Sequence, residues 1–144
     1  MRAVLFAVAL TWNAAPAFGS EPTNQFADPR GNVEIRFIRS EGGLSEYELR
    51  NRSSSPILYY HWAGQGPEPA AYCKKSDSSL YLCSEMVYVE GDDASGYTEW
   101  IHETVLQPMA TVTFKVRSPS PVSIGVKFPL PAQSGDVTIW TDEQ

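Results

Sequence analysis

From Val33 onward the apolar positions of this chain recur every second residue, the period of a strand with one buried face. Val33, Ile35 and Phe37 fall on one side of the repeat and Glu34, Arg36 and Ile38 on the other. Glu41-Gly42-Gly43 is a turn signal, after which Tyr47 and Leu49 alternate with Glu46, Glu48 and Arg50, so the two runs are expected to pair as an antiparallel hairpin. Asn51 to Pro56 breaks the pattern. Ile57 to Trp62 is then continuously apolar or aromatic, as in a strand covered on both faces, and Gly64 to Pro69 reads as a loop. Further strands are predicted at Leu80–Ser84, Met86–Glu90, Thr98–Val105, Ala110–Val116, Val122–Phe128 and Val137–Thr141, each bounded by Gly, Pro, Ser or Asp.

No stretch holds a helical period for even two turns. Many short strands at regular intervals imply an all-β domain, and connections of very unequal length fit a two-sheet antiparallel β-sandwich better than an up-and-down barrel. The turn-to-strand segment Asn51 to Ile57, the Val105-Leu106-Gln107-Pro108 entry into Thr111 to Val116, and the strand Val122 to Phe128 resemble the later strands of immunoglobulin-like or fibronectin-III-like modules of secreted bacterial proteins. The resemblance spans Asn51 to Phe128 and implies an immunoglobulin-like fold. It carries no functional residue across. The widely spaced cysteines of antibody domains are absent, since Cys73 and Cys83 stand only ten positions apart.

Ahead of the strands, Met1-Arg2, the apolar run Ala3 to Leu10 and the small residues Ala15 to Ser20 form the three parts of a secretory signal. Residues 1–19 are therefore read as a signal peptide cut after Gly19, or alternatively after Ala17. The apolar run is too short for a membrane anchor. Residues 20–31 read as a flexible lead-in and 32–144 as a single domain, exported to the periplasm or beyond the cell.

The chain of 144 residues has a net charge of −6, and loss of Arg2 with the leader makes it more acidic still. Lys and Arg occur as scattered pairs among acids, which excludes a phosphate backbone as partner. Cys73 and Cys83, the only cysteines, are expected to pair after export, and closing a loop of that length stabilises by about 2 to 3 kcal/mol. His61 and His102, with the cysteines, Met86 and Met109, are the whole inventory of soft ligands. Without a late Cys-x-His-x-Met cluster they read as half-buried histidines, with no metal site and no cofactor.

Seven acids, Asp77, Glu85, Glu90, Asp92, Asp93, Glu99 and Glu103, lie between Lys75 and Lys115 without an intervening Lys or Arg. Their spacing does not fit a helix-loop-helix calcium hand. Tyr97 and Trp100 fall within the same stretch. Asp92, Asp93, Tyr97 and Trp100 are accordingly the candidate binding residues, with carboxylates to steer a basic partner and an aromatic to anchor it. Asn51-Arg52-Ser53 matches the glycan acceptor pattern. No nucleophile elbow, free thiol or His-Glu-x-x-His is present, so no catalytic residue is assigned. The leading expectation is a secreted, non-catalytic module binding a protein or carbohydrate. The rivals are a small hydrolase using carboxylates and a periplasmic metal carrier.

Overall fold

The computed structural model describes residues 25–63, 66–75, 79–85, 88–90, 100–117 and 123–143. The signal-peptide assignment falls outside them. Of the expected lead-in, residues 25–31 are described: Ala27 donates its N–H to the Pro56 carbonyl at 2.9 Å and packs on the core, and Pro29 is fully buried.

The described chain is all-β and antiparallel apart from 3-10 backbone at Trp100, just ahead of a strand, and a single 3-10 turn at Thr141–Glu143 that follows the last strand. Strands β1 (Val33–Glu41), β2 (Leu44–Asn51) and β8 (Thr111–Arg117) form one sheet in that order. A second runs β10 (Asp136–Trp140), β9 (Ser123–Pro129), β4 (Ala71–Lys74), β5 (Leu80–Cys83) and β6 (Tyr88–Glu90). The third is the ribbon of β3 (Ile57–Trp62) with β7 (Ile101–Leu106).

Three sheets therefore stand where the sequence predicts two. The segment 68–70 explains the difference. It first pairs with β3, through Trp62 N–H to the Glu68 carbonyl (3.2 Å) and Ala70 N–H to the Tyr60 carbonyl (3.0 Å), and then leaves it at Ala71 to join β5 and β9 as β4. β4 itself lies inside the span read as a connection, because four residues beginning with alanine carry too little strand signal to be seen.

The β1–β2 hairpin follows the predicted alternation, with Gly42 (φ 59°) and Gly43 (φ 80°) supplying the left-handed turn that a two-residue hairpin requires. At Ile38 the phase changes. Phe37 pairs with Tyr47 and Arg39 with Glu46, so Ile38 is the extra residue of a β-bulge and is exposed. The bulge keeps Arg36 and Arg39, three residues apart, on one face, where they pair with Glu48 (3.2 Å) and Glu46 (2.7 Å). On the opposite face Phe37, Tyr47 and Phe114 step inward as a ring ladder, with centroids 5.6 and 5.8 Å apart.

All three sheets close on one core built from Leu49, Ile57, Tyr59, Phe114, Val116, Ile124, Val126 and Phe128, giving a sandwich-like body. The Cys73–Cys83 disulfide faces this core and ties β4 to β5, with both cysteines buried. Alternation along the same strands sends Tyr72 and Leu82 the other way, where Leu82 meets Trp62 and Ala70 in a second, smaller cluster. Trp62 is fastened there by an indole N–H donated to the Ser84 hydroxyl.

Candidate functional site

Two surfaces concentrate the functional groups that a binding module would use. The first is the outward face of β4, β9 and β10. Tyr72, Gly125 and Trp140 lie in register across these strands. The Trp140 ring lies against Gly125, where an added Cβ would meet its Cε3 at 2.7 Å, so glycine is required by close approach. Each ring on this face is already engaged. The Lys74 ammonium sits 4.6 Å from the centre of the Trp140 ring and that of Lys127 sits 4.9 Å from Tyr72. Tyr60, reaching over from β3, donates its hydroxyl to Asp136 at 2.6 Å. Burial first, and that hydrogen bond second, push the Tyr60 phenol far above its ordinary range. The strip is thus internally satisfied and serves as packing for the outside of the sheet.

The second surface is the β3–β7 ribbon. Ala63 N–H bonds the Trp100 carbonyl at 2.8 Å, which fixes the phase of the ladder and makes His61–His102, Tyr59–Thr104 and Ile57–Leu106 the hydrogen-bonded pairs. The peptide groups of Ile101, Glu103 and Val105 consequently point away from β3, and among the described residues no strand pairs with that side. Along this open edge Trp100 is 54% exposed and Val105 40%, while His102 and Glu103 are also exposed. Ile101 turns the other way and packs on the Trp62 cluster, anchoring the strand.

Of the candidate binding residues, Trp100 therefore stands at the start of an open strand edge with most of its ring in solvent. Asp92, Asp93 and Tyr97 lie outside the described residues. The two histidines, forty-one positions apart in sequence, are placed directly opposite each other. Sequence patterns do not report that pairing, since it depends on which strands meet. The open edge of β7 is likewise a property of sheet order.

A recess of about 140 Å³ lies on the charged face between Arg39, Glu41, Leu44, Glu46 and Lys115, and no histidine, serine or cysteine is among these lining residues. The Glu68 carboxyl is held above its ordinary range, by burial first and by Glu85 second, with Lys115 partly opposing. It lines no part of that recess.

Asn51, the acceptor of the glycan pattern, is completely buried. Its amide donates to the carbonyls of Ser55 (2.8 Å), Leu106 (3.1 Å) and Gln107 (3.2 Å), while its Oδ1 accepts from the Ser53 backbone N–H (2.9 Å) and hydroxyl (2.8 Å). It joins the end of β2, the 52–55 turn and the end of β7, and its nitrogen is inaccessible in the folded protein. Comparison with protein families, and with individual curated proteins, finds no match.

Proposed function

We propose that this protein is an exported, non-catalytic module of immunoglobulin-like sandwich architecture that docks an extended, basic protein segment along the open edge of β7. The observation that carries this reading is the exposed indole of Trp100 at the head of a strand whose outward peptide groups lack a pairing strand among the described residues. Such an edge accepts a further strand through main-chain hydrogen bonds, while side-chain anchors confer selectivity. The seven acids between Lys75 and Lys115, uninterrupted by Lys or Arg, favour a cationic segment over a neutral glycan. Export is supported by the leader-like first residues and by a disulfide, which persists in oxidising compartments, in a small domain. No helix among the described residues is long and apolar enough to cross a membrane.

The test uses a peptide alternating lysine and valine, titrated into isotope-labelled protein. Amide shifts should concentrate on Ile101 to Val105, and the Ile101, Glu103 and Val105 amides should gain protection from exchange. Trp100→Ala should weaken binding by about 30-fold, the scale of a buried aromatic anchor, and added salt should weaken it further. Shifts centred elsewhere, equal affinity for the Glu/Val counterpart, or binding of neutral oligosaccharides in place of the peptide would each overturn the assignment.

A further inference from the structure

The chain contains two histidines, and the fold sets them face to face. His61 on β3 and His102 on β7 are direct partners in the antiparallel ladder, so both side chains leave the same face with Cβ atoms about 5 Å apart. Neither is part of the main core: His61 is half-buried and His102 exposed. The ring of His61 is also oriented. Its Nδ1 lies 2.8 Å from the Gly66 carbonyl oxygen. A carbonyl can only accept, so Nδ1 carries the proton, and in the neutral ring Nε2 is left as the lone-pair donor. An imidazole pinned through Nδ1–H to a backbone carbonyl, which leaves Nε2 as the donor atom, is the arrangement that prepares histidine for a metal.

We infer that His61 and His102 form a two-imidazole chelate for a borderline divalent transition metal, Cu²⁺ above Zn²⁺. Both ligands are nitrogen, which selects late first-row ions over Ca²⁺ and Mg²⁺, and copper binds most strongly in that series. Among the described residues no cluster of three or more His, Cys, Asp or Glu is available to hold an ion. The remaining coordination positions go to water or to a donor brought by another molecule. That makes the site exchangeable, suited to receiving and passing on an ion and not to burying one. Because bound imidazole must be deprotonated, acid should release the metal. The inference goes beyond the docking role of β7 and stands without it.

Copper titration followed by electron paramagnetic resonance tests it on the mature, disulfide-bonded chain. The expected result is one Cu²⁺ per chain with hyperfine structure from two equivalent-type nitrogens. His102→Ala should reduce this to a single imidazole, and His61→Ala with His102→Ala should remove it. Circular dichroism establishes that each variant is folded. Should the double variant fail to fold, His102→Gln at the exposed position gives the same reading, with one imidazole lost. A wild-type spectrum retained in either His102 variant, or the absence of imidazole coupling in the wild type, overturns the proposal. Peptide binding is read separately, so failure of one assignment leaves the other standing or falling on its own measurement.

Discussion

Replacing Asn51 with alanine should be among the most damaging single changes in this domain. The side chain is fully buried, its two amide hydrogens shared among three carbonyl oxygens and its own oxygen accepting from the Ser53 N–H and hydroxyl. Not all of its partners would be stranded. The Ser55 carbonyl keeps the Ser53 hydroxyl at 2.7 Å, and the Gln107 carbonyl keeps the Ala110 N–H at 3.1 Å. The Leu106 carbonyl keeps the Ile57 N–H of the β3–β7 ladder, so only the Ser53 N–H loses its contact outright. Each buried polar group so orphaned costs about 1 to 3 kcal/mol. With about 1 kcal/mol for the half-exposed Ser53 N–H and about 1 kcal/mol for each of the two amide hydrogens given to carbonyls, the sum is roughly 3 kcal/mol. Against a typical domain stability of about 5 to 15 kcal/mol, that is a large fraction. A protein of this size should lose about 10 to 15 °C in Tm. Urea unfolding with an unchanged slope would measure it directly. Asn51→Asp supplies a second reading, because a carboxylate facing three carbonyl oxygens is repelled unless protonated, so its deficit should shrink as pH falls. A loss under about 1 kcal/mol for the alanine variant would refute the argument, showing that the turn and β7 hold their places without this side chain.

Three further outcomes follow from the same geometry. Met109 occupies the left-handed region at φ 61° in the turn closed by Ala110 N–H and the Gln107 carbonyl, and Met109→Gly should stabilise by about 1 kcal/mol in chemical denaturation. Replacing Cys73 and Cys83 together with serine should cost about 2 to 3 kcal/mol while leaving far-ultraviolet dichroism intact, and thiol titration of the unreduced, unfolded protein should find no free sulfhydryl. The Glu68 carboxyl is raised in the folded state, so its ionisation opposes folding: the penalty is absent in acid, grows as pH rises through the ordinary glutamate range, and is constant above the raised value. Glu68→Gln should therefore raise Tm at neutral pH, with the gain vanishing below about pH 4.

What the chain discloses before folding is local. The β1–β2 hairpin is legible because period-two alternation and a Gly-Gly turn act over neighbouring residues, and β8, β9 and β10 are legible for the same reason. The bulge at Ile38 is not, since one inserted residue leaves no mark in composition and shows only when Arg39 is found opposite Glu46. β4 is too short to register. The placement of β9 beside β4, and of His61 opposite His102, depends on pairings between strands that are distant in sequence. Trp100 was discernible as an aromatic beside acids, whereas its exposure follows from Ile101 being the neighbour that turns inward.

The burial of Asn51 places folding and glycosylation in competition for the same nitrogen. An oligosaccharyltransferase reads Asn51-Arg52-Ser53 in an extended chain, where the amide is free; once β2, the following turn and β7 have closed on it, the acceptor is gone. A chain modified first carries a glycan on an atom that the native state requires inside, and so is barred from completing its fold. In a secretory pathway that performs this modification, yield would therefore be set by a race between two rates. The fraction bearing sugar would count the molecules that lost it.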